Sequence, residues 1–105
     1  MGTRLSLSIA SLVISAVSIP MILGKVAPNA TYGFRTRLTL SSPEIWYPAN
    51  KFAGWALVIA AALTLAILWL LPDRFFARPL IPIAAFVVPL LLGLAASFIY
   101  LRRFA

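Results

Sequence analysis

The 20 residues FAGWALVIAAALTLAILWLL, numbered 52–71, contain no charged side chain and decide the class of fold. At about 1.5 Å of rise per residue, a helix of this length crosses a hydrocarbon core of about 30 Å. Two further uncharged apolar runs, residues 5–23 and 80–101, are 19 and 22 residues long. The sequence therefore predicts an all-α membrane protein with three transmembrane helices.

The three predicted spans leave no room for a soluble domain. The longest remaining piece is the segment 24–51, and only Leu71 to Pro79 connects the second run to the third. So short a connection makes the last two spans an antiparallel hairpin. We expect a single integral membrane domain over 1–105, in which the segment 24–51 forms an interfacial loop or short helix.

Composition excludes most catalytic and metal chemistry. The chain has no His and no Cys, and its two acidic residues, Glu44 and Asp73, fall in loops on opposite predicted membrane faces. An imidazole base, a thiolate and a zinc site are thereby excluded, so we expect no enzyme, cofactor or metal. The catalytic alternative is a Ser–Lys pair such as Ser42 with Lys51, although an interfacial lysine is ordinarily solvated or lipid-bound.

The net charge of +7 comes from nine basic residues that flank the apolar runs. Such residues ordinarily set orientation and contact anionic lipids, so we do not expect nucleic-acid binding. Three spans place three of them on one side and six on the other: Arg4, Arg74 and Arg78 against Lys25, Arg35, Arg37, Lys51, Arg102 and Arg103. The positive-inside rule then predicts an external N-terminus and a cytoplasmic C-terminus, with the segment 24–51 also cytoplasmic.

The first span is interpreted as a retained helix instead of a signal peptide, because its apolar run is long and no small-residue cleavage site follows. Two spans carry small residues on one helical face: Ser8, Ser11, Ser15 and Ser18 in the first, and Ala85, Pro89, Gly93 and Ser97 in the third. Small side chains let helices approach closely in lipid, so both faces are predicted to pack against protein. A polar substrate path is the alternative for the serines. Pro89 removes a backbone hydrogen bond, so we expect a bend there, covered by a neighbouring helix.

The segment 24–51 has its own local signals. Its early part is rich in turn residues, and Ser42 followed by Pro43 and Glu44 predicts a helix start with a side-chain cap, a proline at the first helical position and a carboxylate at the positive end of the dipole. Pro48 leaves two possibilities open. The helix either breaks there into a short interfacial piece or continues with a kink into the second span.

If the helix continues, Trp46, Asn50 and Gly54 lie on one face at spacings of four residues. Two interpretations remain open for the surroundings. The aromatic residues could form an interfacial belt with snorkelling basic side chains, the aromatic members being Tyr32, Phe34, Trp46, Tyr47 and Trp55 and the basic ones Arg35, Arg37 and Lys51. Alternatively, Asn50 and Glu44 near an apolar boundary need partners, and Arg35 and Arg37 could supply charge-assisted hydrogen bonds.

These residues also carry a resemblance to a known family. The run Gly33-Phe-Arg35-Thr36, then Thr39, Ser41 and Ser42, then Glu44, Trp46, Asn50 and Gly54 at the start of an apolar helix resembles the signature of the SdpI family of small bacterial membrane proteins. The resemblance covers about 22 residues of motif and, with the three-span layout, most of the chain.

The resemblance implies a protein of the bacterial plasma membrane that protects the cell against a membrane-active peptide toxin, and that could also hold a transcriptional repressor at the membrane. Binding would fall to a polar cluster of Arg35, Glu44 and Asn50 with Trp46 and Arg37. Motif residues with a structural role would be Gly33, Thr36, Thr39, Ser42 and Gly54. The alternative is a small subunit of a transporter or larger membrane complex. Self-association through the small-residue faces is also plausible.

Overall fold

The computed structural model describes residues 2–105. Three long helices follow each other: α1 at Thr3–Ile22, α2 at Pro43–Leu70 and α3 at Leu80–Leu101. Short 3-10 helices occupy Thr39–Ser41, Asp73–Ala77 and Arg102–Phe104, and the bundle measures 48 × 23 × 19 Å. All three long helices are long and apolar enough to cross a membrane. The predicted three-helix membrane fold is thereby confirmed.

Helix α2 is the centre of the bundle. Helices α1 and α3 each pack along it, whereas α1 and α3 have little contact with each other. Helix α2 packs against both α1 and α3, and its buried residues are mostly small: Ala49, Ala53, Gly54, Ala60 and Ala61. Small side chains allow close backbone approach without leaving voids, which is why one helix can bury two of its sides.

Helix α1 packs closely against α2 at Gly54. A Cβ placed there would lie 2.8 Å from Cγ1 of Ile22 and 3.0 Å from the carbonyl oxygen of Ser18. The serine face of α1 packs at the same interface, as predicted: Ser8, Ser11 and Ser18 are buried, and each hydroxyl donates to the carbonyl four residues earlier. Each hydroxyl proton is satisfied within α1, and the Oγ of Ser8 also accepts from Nε1 of Trp69 in α2 at 2.9 Å, so the face packs without an unpaired polar group.

Pro89 in α3 is covered by α2 in the way the sequence predicted. Its ring nitrogen has no hydrogen, so the carbonyl of Ala85 loses its usual partner four residues ahead. The Oγ1 of Thr64, a buried residue of α2, donates to that carbonyl at 3.0 Å. A hydroxyl of the neighbouring helix therefore replaces the missing bond in the middle of the apolar layer.

Helix α1 ends in a glycine turn. Gly24 has a φ of +71°, and the N–H of Lys25 donates to the carbonyl of Pro20 at 2.9 Å. The N–H of Gly24 donates to the carbonyl of Met21 at 3.3 Å. This pair of bonds is the Schellman arrangement, which satisfies the last carbonyls of α1 and turns the chain towards the loop.

Helix α2 begins at Pro43 and continues through Pro48, so the unbroken alternative is the one the fold adopts. Pro48 deprives only the carbonyl of Glu44, which lies in the first turn of α2 on an exposed residue. The predicted side-chain cap of Ser42 is wrong. Ser42 is the N-cap residue, but its hydroxyl makes no capping bond, and its carbonyl accepts from the N–H groups of Ile45 and Trp46. The N–H of Ile45, one of the donors that such a cap would serve, donates to this carbonyl instead.

Arg4 joins the beginning of α1 to the end of α2, a contact that the sequence did not predict. Its Nε donates to the carbonyl of Leu68 and its Nη2 to the carbonyl of Leu71, both at 2.9 Å. Its Nη1 lies 2.8 Å from Oδ1 of Asp73, and the guanidinium lies 4.3 Å from the ring centroid of Phe76. Arg4 thus binds the unpaired carbonyls at the negative end of α2.

Candidate binding site at the loop-bearing end of the bundle

Asn50 holds the loop between α1 and α2 onto helix α2. Its side chain is 1% exposed, and its Oδ1 accepts the backbone N–H of Phe34 at 2.7 Å. Its Nδ2 donates to the carbonyl of Phe34 at 3.3 Å and to that of Trp46 at 3.0 Å. The amide therefore pairs with both backbone groups of one loop residue, as a neighbouring β-strand would.

Trp46 is a second attachment point and is fully buried. Its Nε1 donates to the carbonyl of Val26 at 2.7 Å. The belt interpretation is therefore wrong for Trp46, although Tyr47 and Trp55 do lie exposed at the bundle surface. A buried indole gains both packing area and a partner for its N–H, and the loop supplies both here.

Gly33 is the position where the loop passes closest to these two side chains. Its φ is +106°, and a Cβ there would lie 2.7 Å from Oδ1 of Asn50 and 3.3 Å from the ring of Trp46. Any other residue would carry both backbone strain and a steric clash. Together with Gly54, this confirms the close packing expected at the two motif glycines.

Thr36 and Thr39 form a small reciprocal cap within the loop. The N–H of Thr36 donates to Oγ1 of Thr39 at 2.7 Å, and the N–H of Thr39 donates to Oγ1 of Thr36 at 3.1 Å. Thr39 is completely buried. One N–H of the loop before the 3-10 helix Thr39–Ser41 and the first N–H of that helix are satisfied in this way, which agrees with a structural role for these motif threonines.

The predicted cluster of Arg35, Glu44 and Asn50 does not form. Arg35 is exposed and its Nη1 donates to the carbonyl of Ala30, while Glu44 and Arg37 are exposed. The one ion pair within residues 2–105 is that of Arg4 with Asp73. The buried amide is already satisfied by backbone groups, and moving charged groups beside it would cost several kcal/mol of desolvation.

A groove lies beside the loop, in the space that the separation of α1 and α3 leaves on α2. It encloses about 300 Å³, and its lining includes Val17, Met21, Phe34, Leu57, Leu94 and Ser97. Tyr32 and Gly33 also line it, so the loop forms part of its wall. Phe34 packs edge-on against Phe98 of α3, with 5.2 Å between ring centroids. The loop therefore contacts both α2 and α3.

The loop-bearing end of the bundle is strongly basic. Six exposed cations surround it, namely Lys25, Arg35, Arg37, Lys51, Arg102 and Arg103. Glu44 is the one acidic side chain at this end. The opposite end carries Arg74 and Arg78 besides the pair formed by Arg4 and Asp73. Anionic groups at the membrane surface are attracted to the loop-bearing end.

Together, these features define a three-span membrane protein with a basic loop, hydrogen-bonded to α2, and an adjoining apolar groove. Among residues 2–105, no three His, Cys, Asp or Glu side chains approach closely enough to hold a metal.

A sequence model of the SdpI/YfhL protein family matches residues 25–101, which include the loop, α2 and α3. The chain belongs to this family. No curated protein and no solved structure matches it.

Proposed function

We propose that this chain protects a bacterial cell against a membrane-active peptide toxin by binding the peptide at the loop-bearing end. The observation that carries the proposal is family membership across the loop and both following helices. The proposal assigns a binding role and no catalytic step to the exposed loop residues. No reaction catalysed by a Ser–Lys pair is included.

The loop has the properties that a recognition surface needs. Its backbone is held by Asn50 and Trp46, so its exposed side chains project from a rigid support. A preorganised surface loses less conformational entropy on binding than a mobile one. Arg35 and Arg37 are the exposed side chains of the motif that can contact a carboxylate or phosphate.

The orientation belongs to the same proposal. The two ends of the bundle differ in basic side chains, six against three, and this favours a cytoplasmic loop and C-terminus in the bacterial plasma membrane. A reporter that is active only in the cytoplasm should work when fused after Ala105. Activity of a periplasm-only reporter at the same site would reverse the orientation and place the toxin-binding end outside.

Protection should depend on Arg35 as a forked donor. Arg35→Lys keeps the charge but removes the planar guanidinium, so survival of a sensitive bacterium challenged with a membrane-active peptide should fall at equal protein abundance. Arg74→Lys at the opposite end is the matched control and should protect like the parent. If the parent protects against no such peptide, the immunity proposal fails. If Arg35→Lys protects fully, the function stands and Arg35 is not part of the site.

A signalling role through a repressor would use the same cytoplasmic end. We propose it as a second activity of the basic surface, which could attract an acidic patch on a soluble partner. A fluorescent fusion of the candidate repressor should move to the membrane only when the peptide is present. A repressor that stays in the cytoplasm under these conditions would remove this part of the proposal.

A further inference from the structure

We infer that the groove between α1 and α3 binds one anionic phospholipid, with an acyl chain in the groove and the phosphate among the basic residues of the loop-bearing end. The groove lies beside the exposed loop surface proposed to bind a peptide, and the two sites share Arg35 and Arg37. An apolar slot lies at the basic end of the bundle, and this combination matches the two parts of a phospholipid.

The depth of the groove fits part of an acyl chain. Val17 and Leu94 lie five and seven residues from the loop-side helix ends Ile22 and Leu101. At about 1.5 Å per residue, the groove reaches roughly 10 Å into the apolar layer from the loop. Leu57 of α2 forms its floor together with Ala53. The lining is almost wholly apolar, as lipid tails require.

The loop positions the entrance of the groove next to positive charge. Phe34 lines the groove, and the neighbouring Arg35 is exposed. Arg37 lies two residues further on, and Arg102 and Arg103 follow the end of α3. A phosphate at the headgroup level would lie within this basic collar, and each nearby cation strengthens the attraction of an anionic lipid.

The charge decides between lipid classes. A zwitterionic headgroup carries no net charge, so the collar adds little to its binding, whereas phosphatidylglycerol gains from each basic side chain. With roughly 1 kcal/mol for each Lys or Arg near the surface, two arginines correspond to at least a tenfold preference. We expect one bound lipid per protein, because the groove beside α2 has room for one acyl chain.

The test is native mass spectrometry of the delipidated full chain titrated in detergent with phosphatidylglycerol or phosphatidylcholine of identical chains. One bound phosphatidylglycerol per protein, retained at least tenfold more strongly than phosphatidylcholine, is expected. The double variant Arg35→Gln, Arg37→Gln should lower the preference, with Arg102 and Arg103 still present, and Arg74→Gln, Arg78→Gln should leave it unchanged. Equal binding of the two lipids by the parent would overturn the inference.

Filling the groove should remove the bound lipid. Leu94→Trp places a larger side chain in the slot, while Leu91→Trp, on the lipid-facing side of α3, is the matched control. Val17→Trp with Leu12→Trp as control repeats the test from α1, in case one variant does not fold. Equal retention of phosphatidylglycerol by the groove variants and their controls would contradict the site. None of these measurements uses a toxin, so their failure leaves the immunity proposal untouched.

Discussion

At each end of this bundle, a side chain forms hydrogen bonds with the backbone of another segment, but the kind of side chain differs. At the loop-bearing end, a neutral amide and an indole, Asn50 and Trp46, donate to or accept from loop backbone while fully buried. At the opposite end, the guanidinium of Arg4, whose side chain is 26% exposed, donates to the last carbonyls of α2. The depth of burial therefore determines which kind of side chain can form these bonds. A neutral side chain can be satisfied in the interior, whereas a charged one is held where water and headgroups reach it.

The largest effect is expected at Asn50. Asn50→Leu removes the partners of both the N–H and the carbonyl of Phe34, and buried unpaired groups cost about 1–3 kcal/mol each. We expect a loss of roughly 3 kcal/mol in unfolding free energy and rapid proteolysis between residues 24 and 42. Lys51→Leu, next along the chain but exposed, is the control. A loop of Asn50→Leu that resists protease like the parent would contradict the role of the amide.

Gly33 should follow closely. Gly33→Ala adds a Cβ that would lie 2.7 Å from Oδ1 of Asn50, at a φ of +106°, and we expect a loss of about 2 kcal/mol. The φ term alone accounts for about 1–2 kcal/mol of strain. Gly24→Ala separates the two terms, because its φ is also positive but nothing lies within 4 Å of the added Cβ. Thermal unfolding in detergent should rank Gly33→Ala below Gly24→Ala, and the reverse order would exclude the clash.

At the opposite end, Arg4→Gln should cost about 1–2 kcal/mol, since it removes two charge-assisted bonds to carbonyls. Asp73→Asn separates the ion pair from those bonds. The Asp73 side chain is 91% exposed, so solvent screens the pair and its loss should barely change the unfolding temperature. An Asp73→Asn effect as large as that of Arg4→Gln would show that the ion pair, and not the carbonyl contacts, holds this end.

The smallest effect is expected between the ends, at Thr64, six residues before the end of α2. Thr64→Val keeps the shape of the side chain but leaves the carbonyl of Ala85 without a donor, at a cost of about 0.6 kcal/mol if it behaves like other interhelical bonds in membranes. Thr64→Ser restores the hydroxyl and should restore the parent stability. A Thr64→Val protein as stable as the parent would mean that the Pro89 gap needs no partner.

The helices were predictable because each signal is local. An uncharged run long enough to cross the bilayer predicts a span without reference to the rest of the chain, and the predicted third span, 80–101, coincides with α3. The start of α2 was harder to predict. The Ser-Pro-Glu sequence indicated a helix beginning at Pro43, but Pro48 opposed its continuation, and only an exposed first turn made that proline harmless.

The candidate site was predicted only in part. The sequence indicated that Trp46, Asn50 and Gly54 share a face and that Asn50 needs partners, and all three are buried together on α2. The predicted partners were wrong. Their charges made Arg35 and Glu44 the obvious candidates, whereas a sequence does not distinguish the backbone of Phe34 from that of any other residue. Arg4 was missed for the same reason, since its acceptors are carbonyl oxygens.

The sequence by itself determined the three spans, the small-residue faces that pack and the uneven distribution of charge, because hydropathy, helical period and charge are properties of the residues present. The tertiary structure decided which backbone groups each polar side chain binds, the separation of α1 from α3 and the groove between them. These features depend on distances between segments far apart in the chain. A hydrogen bond from a side chain to the backbone also requires no particular partner residue, so the sequence carries no signal for it.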